Sequence, residues 1–246
     1  MNLEKWITEK ILEKTQYQGN TEAGIKAISA SDFGNDILQI WLRYKYGVPE
    51  KTEIGQDTLG TVVHFGMEQI LKDEAETEVS MELEMPNGWK LTGMADIVLQ
   101  DAICDIKVTK SYTIERVEKE PDHQYVWQLN VYRYLYEKLH DKEMSMYLIA
   151  FLKDGGYDFR KMENKPSLKV IQIPLVSNDE IEKKFYEITS QIEQFETLGI
   201  EPPQCKDLWF RKVRGKSIPV RCMQYCAYSD KCKYFNPKHT TTMEMW

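Results

Sequence analysis

The chain has no run of about 18 apolar residues, so nothing in it reads as a membrane span. Its opening stretch, MNLEKWITEKILEK, is charged and lacks a signal-type apolar block. No G-x-x-x-x-G-K-[ST] is present, so no helicase or ATP-binding signature is visible. Internal repeats and low-complexity segments are missing too. Positive charge is in short supply: 32 Lys and Arg stand against 39 Asp and Glu, a net charge of −7. That argues against a generally basic coat for nucleic acid and leaves room only for a local basic groove. Cysteine is scarce until late in the chain, with Cys104 alone before Cys205. The expectation is a cytoplasmic protein, in which cysteines mean metal or redox chemistry more often than disulfides.

What is present suits one large domain or a core with appendages, of ordinary soluble composition: 246 residues, 42% hydrophobic and 29% charged, enough to bury a sizeable core. Leu3, Trp6, Ile7, Ile11 and Leu12 recur at helical spacing. A second helix is expected from about Ser29 to Gly47, where Gly-Val-Pro stops it, and a third from Leu59 to about Lys72. The period then changes to alternation. Glu78–Met85, a Pro86-Asn-Gly88 turn and Trp89–Leu99 form a hairpin, and Ala102–Thr109 adds a third strand. A polar stretch runs to Asp122. A helix follows over 123–139, then strands over 144–152 and 169–175, and a helix over 178–198. This order predicts an α/β fold with a central mixed β-sheet flanked by helices. The expected divisions are an N-terminal helical region (1–56), a core (57–198) and a cysteine-bearing C-terminal segment packed on it (199–246).

The stretch GMADIVLQDAICDIK, Gly93–Lys107, carries the chemistry. With Gln100 and Asp101 as the turn, Leu99 pairs with Ala102 and Asp96 falls opposite Asp105. Lys107 lies two residues on, on the same face. The other face carries Ala95, Ile97, Leu99, Ala102, Cys104, Ile106 and Val108, all apolar or thiol. Facing carboxylates repel, and a divalent cation removes the penalty. The plainer alternative is a solvated hairpin face with incidental charges. His64 and Glu68 are neighbours on one helix face, and Gln128 and Tyr132 on another.

The C-terminal segment holds Cys205, Cys222, Cys226 and Cys232, spaced C-x16-C-x3-C-x5-C. Such clustering suits four thiolate ligands on zinc or an iron–sulfur cluster. Cys104 reads as plain core. Between the first two cysteines run Lys206, Arg211, Lys212, Arg214, Lys216 and Arg221, interleaved with Trp209 and Phe210. This is either a solvated charged loop or a basic aromatic strip able to track a phosphate backbone, the latter through Arg211, Lys212, Arg214 and Lys216.

Taken together, G-x-x-x-H (Gly60–His64), G-x-x-D (Gly93–Asp96), D-x-K (Asp105–Lys107) and Q-x-x-x-Y (Gln128–Tyr132) resemble the RecB-type branch of the PD-(D/E)xK nucleases. The segment P-P-x-C…R-C-x-x-x-C-x-x-x-x-x-C is similar to phage-encoded members of that branch. The resemblance implies a restriction-endonuclease-like core and metal-dependent hydrolysis of DNA, as an exonuclease in recombination, repair or phage DNA processing. It implies that Asp96, Asp105 and His64 hold Mg²⁺ or Mn²⁺, that Lys107 handles the attacking water, and that Gln128 and Tyr132 support the site or touch DNA. In iron–sulfur members one cysteine ligand comes from the N-terminal helical region. ISASDFGNDILQIWLRYKYG has none, so Cys205 would take that place, for a [4Fe–4S] cluster ahead of zinc. DNA is the expected partner, in a bacterial or phage-infected cell, with a recombination or single-strand-binding protein or a second copy of the chain as further partners. The competing functions are a non-catalytic DNA-end-binding accessory protein and a metal-cluster interaction module.

Overall fold

The computed structural model describes residues 3–14, 22–50, 58–158, 162–213 and 216–235. The chain forms two compact units. One comprises Met1–Gln16, Ala27–Gly34 and Lys51–Tyr186, the other Tyr17–Lys26, Asn35–Glu50 and Glu187–Trp246. In chain order, helix α1 (Leu3–Lys14) precedes strand β1 (Ala27–Ser29), a 3-10 turn (Ala30–Gly34) and helix α2 (Ile37–Tyr46). Then come α3 (Thr58–Leu71), β2 (Glu76–Glu84), β3 (Lys90–Val98), β4 (Ala102–Thr109), α4 (Ser111–Lys119) and α5 (Gln124–His140). They are followed by β5 (Ser145–Leu152), β6 (Gly156–Asp158), β7 (Glu163–Lys165), β8 (Leu168–Gln172) and α6 (Asn178–Leu198). The last elements are β9 (Phe210–Val213), β10 (Lys216–Pro219) and α7 (Val220–Gln224). Among the described residues no helix is long and apolar enough to cross a membrane.

The first unit is a mixed sheet between helices. Its strand order is β1-β3-β4-β5-β8, with β2 paired to β3. The β1/β3 and β4/β5 pairs are parallel, and the β2/β3, β3/β4 and β5/β8 pairs are antiparallel. The two faces are set by alternation. Ile97, Cys104 and Ile106 pack with Tyr147 and Ile149 beneath Val63, Met67 and Leu71 of α3. Met146, Leu148 and Ala150 are buried on the opposite face, under α5. That helix is buried almost all round, with Val126, Leu129, Val131, Tyr132 and Leu135 inside.

Two sequence expectations change. The single helix expected over 29–47 is a strand, a 3-10 turn and a shorter helix, because the Asp32 side chain folds back to accept from the Ser29 N–H at 2.7 Å. The polar stretch after Thr109 contains α4. Its apolar content is small, but Ile114 and Val117 are buried, and Asp154 accepts from both the N–H and the hydroxyl of Ser111 to hold the helix start. In the second unit the Arg221 guanidinium donates to Asp36 at 2.8 Å and to Gln39 on α2, and the Tyr228 hydroxyl donates to the Gly47 carbonyl at 3.0 Å.

Candidate active site

The site lies where strands β3 and β4 part. Their ladder holds at Val98↔Ile103 and Ile97↔Cys104 and goes no further. Because β2 occupies one edge of β3 along its length, β1 and β4 share the other, β1 at Lys90–Thr92 and β4 from Ile97. The β3 edge between them, Gly93–Asp96, has no strand partner on that side. Ile106 would have paired there. Its N–H donates instead to Asp96 Oδ2 at 2.6 Å, and its carbonyl contacts His64 Nε2 at 2.8 Å. Side chains thus replace the missing strand and satisfy buried backbone groups that would otherwise cost stability. The expected facing of Asp96 and Asp105 carries the right register count, but Asp96 leans into the opening rather than standing on a continuous ladder.

The same opening breaks the pleat. Gly93 and Ile97 differ by four residues and would share a face. A Cβ on Gly93 would meet Tyr132 of α5 at 2.8 Å and Leu135 at 3.1 Å, whereas Ile97 packs on the α3 side. The glycine of the G-x-x-D pattern is therefore demanded by the close approach of the Tyr132 ring.

Asp105 and Lys107 sit on the α5 side. Lys107 Nζ lies 2.6 Å from Asp105 Oδ2 and 5.3 Å from the centre of the Tyr125 ring. Asp105 is 1% exposed, and its Oδ1 has no hydrogen-bond donor among the described residues. Burial pushes the Asp105 carboxyl up to about 6; Lys107 opposes that rise and the nearby Asp96 charge adds to it. Burial works against the Lys107 ammonium too, but Asp105 and Asp96 outweigh it and raise the group above the usual lysine range. At neutral pH Lys107 is a cation. Tyr132 is held far above the ordinary tyrosine range by burial and by both aspartates, and its oxygen accepts from Gln128 Nε2 at 2.6 Å.

On the α3 side, His64 Nδ1 lies 3.2 Å from Asp96 Oδ1. A carbonyl only accepts, so Nε2 carries a proton for Ile106, and Nδ1 is the nitrogen turned to Asp96. Two acceptors face each other there unless a proton or a cation lies between them. Burial lowers the His64 pKa, but the hydrogen bond and charge of Asp96 reverse that and leave it raised. Glu78 joins this pair: one ligand atom each from His64, Glu78 and Asp96 lie within 4.8 Å of one another. Burial and the Asp96 charge raise the Glu78 carboxyl as well. A surplus of buried oxygen, an orphaned Asp105 Oδ1 and an imidazole nitrogen aimed at a carboxylate together fit a divalent cation.

Sequence reasoning did not single out Glu78 or Tyr125. Glu78 had a usable signal: carrying the pairing count back through the first hairpin, whose register runs Glu84↔Lys90 to Glu76↔Val98, puts Glu78 opposite Asp96.

The remaining expected residues lie in the second unit. Cys205, Cys222, Cys226 and Cys232 are free thiols. They are electrostatic neighbours, since the charge of Cys226 reaches each of the other three. Burial pushes Cys205 up to about 12, helped by Asp36. Arg211 and Lys212 are exposed on β9. Trp209 beside them stacks edge-on with Tyr225, ring centres 5.5 Å apart. Arg214 and the Lys216 side chain lie outside the described residues.

A family model described as "PDDEXK-like domain of unknown function (DUF3799)" matches residues 62–207. That span contains every residue placed around the β3/β4 opening. Among solved structures, that of SSO0001 is similar with a TM-score of 0.59 and 16% identity, over 95% of this chain and 97% of that one. An alkaline exonuclease from Laribacter hongkongensis has a TM-score of 0.45 and 13% identity, over 78% of this chain and 96% of that one. No curated protein matches the chain.

Proposed function

From the premise that the chain belongs to the family of PDDEXK-like domains, we propose that it is a metal-dependent deoxyribonuclease that hydrolyses phosphodiester bonds at the β3/β4 opening. The observation that carries this reading is the Asp105 carboxylate, buried with an unsatisfied oxygen beside the Asp96 charge and an ammonium. A structural ion pair has no use for the spare oxygen, and a metal ligand does.

Asp96, Asp105 and His64 would hold Mg²⁺ or Mn²⁺, which supplies Lewis acidity toward a phosphate ester and its attacking water. Lys107, held protonated by its two aspartates, orients that water by donating to it and offsets charge growing on the phosphate. Tyr125 covers the lysine, and the Gln128–Tyr132 pair lines the α5 wall, with the tyrosine hydroxyl proton free to meet a phosphate oxygen. DNA is the substrate that the resemblance implies, cut from an end. The exposed Arg211 and Lys212 with Trp209 supply charge and a stacking surface of the kind that tracks a single strand.

In the second unit the four cysteines would hold a [4Fe–4S] cluster. Clustered thiolates suit an iron–sulfur cluster or zinc, and the resemblance puts the cluster first. Either metal would staple the segment that Arg221 already ties to α2.

The test is cleavage of linear duplex and single-stranded DNA with Mg²⁺ or Mn²⁺. Wild-type protein is expected to degrade at least one substrate, and Asp105→Ala to degrade neither. If the wild type cuts no DNA with either cation, the nuclease reading is wrong.

A further inference from the structure

We propose that Glu78 is a metal-ligating residue, completing with His64 and Asp96 a cation position on the α3 side of the opening; this rests on the metal-dependent reading above. The three groups come from three elements, α3, β2 and β3, and present ligand atoms within 4.8 Å of one another. The imidazole is oriented for it. Its Nε2 is committed to the Ile106 carbonyl, so the other ring nitrogen faces the acids, an arrangement that metal-binding histidines share. The Asp105 charge also reaches His64, and its buried Oδ1 has no donor among the described residues.

The backbone at Glu78 is unusual for its place. It has φ +52° inside a strand, and the β2/β3 register passes from Thr77↔Ile97 to Val79↔Ala95 without bridging Glu78 to Asp96. A left-handed conformation is unfavourable for glutamate, and such strain collects where a site needs it. The strand loses a rung at the position that would set two acids side by side. Two carboxylates and an imidazole make a mixed oxygen–nitrogen set. Mg²⁺ prefers oxygen and keeps its waters, so this set favours Mn²⁺ over Mg²⁺.

The experiment is Mn²⁺ titration of the purified full chain by calorimetry, with Mn²⁺ electron paramagnetic resonance as a second readout. The proteins are wild type, Glu78→Gln, Glu78→Gly and, as control, Glu76→Gln on the same strand. Glu78→Gln and Glu78→Gly are expected to weaken Mn²⁺ binding by at least about tenfold. Glu78→Gly relieves the left-handed backbone and should melt no lower than wild type without metal, which separates lost ligation from lost folding. Glu76→Gln is expected to bind as wild type does. Wild-type affinity in both Glu78 variants overturns the proposal, as does equal weakening by Glu76→Gln, which would mean only a change in overall charge. If wild type binds no Mn²⁺ at all, the metal-dependent reading falls with it. If it binds and cuts DNA while the Glu78 variants bind equally well, only the role of Glu78 falls.

Discussion

At the scale of single residues, Asp105 and His64 set how the site answers to pH. Burial raises Asp105 from an ordinary carboxylate to about 6, and Asp96 leaves His64 above the usual imidazole value despite burial. Both groups therefore bind protons more tightly in the folded, metal-free protein than in the unfolded chain. For such groups stability is greatest at low pH and falls as pH rises through the folded values, here from about 4 upward through neutrality. A cation competes with those same protons. The rise in melting temperature caused by Mn²⁺ should accordingly be larger at pH 7.5 than at pH 5. Equal shifts at the two pH values would mean that neither group faces the cation. The identities and spacing of Asp96, Asp105, Lys107, Gln128 and Tyr132 were legible in the sequence. The protonation of Lys107 was not, because it depends on carboxylates from two strands and a tyrosine ring from a helix closing around one ammonium.

Among elements, the decisive event is the parting of β3 from β4. Two strands share that β3 edge: β1, from Ala27–Ser29, takes its first rungs, and β4 takes only the last. Gly93 lies in the gap and lets the Tyr132 ring approach the strand closely. Gly93→Ala should cost about 1–3 kcal/mol by overpacking and should move Tyr132 off the site. A lower melting midpoint and weakened DNA cleavage are expected, and an unchanged midpoint would contradict the close approach. The hairpin turn was readable because two strands with an apolar face admit one register. The split of the 29–47 segment and the existence of α4 were not. Each turns on one side chain, Asp32 or Asp154, capturing a backbone N–H, a choice that hydrophobic period does not encode.

For the whole molecule, net charge sets the terms of any meeting with DNA. At −7 the chain repels a polyanion except where cations cluster, and Arg211 and Lys212 are exposed on β9. Replacing both with alanine should weaken single-stranded DNA binding most at low salt. It should also make the slope of log affinity against log salt shallower by about 0.7 for each phosphate no longer neutralised. An unchanged slope would remove β9 from the DNA path.

Period, turn residues and the order of the elements were enough to determine an α/β core with a central mixed sheet, because face, register and residue type are local properties of a strand. Only the folded chain decided that the β3/β4 ladder ends at Asp96, that His64 and Asp96 fill its missing rungs, and that Glu78 stands beside them. Those outcomes depend on which distant segment reaches a strand edge first, and on where the buried backbone then finds its hydrogen bonds.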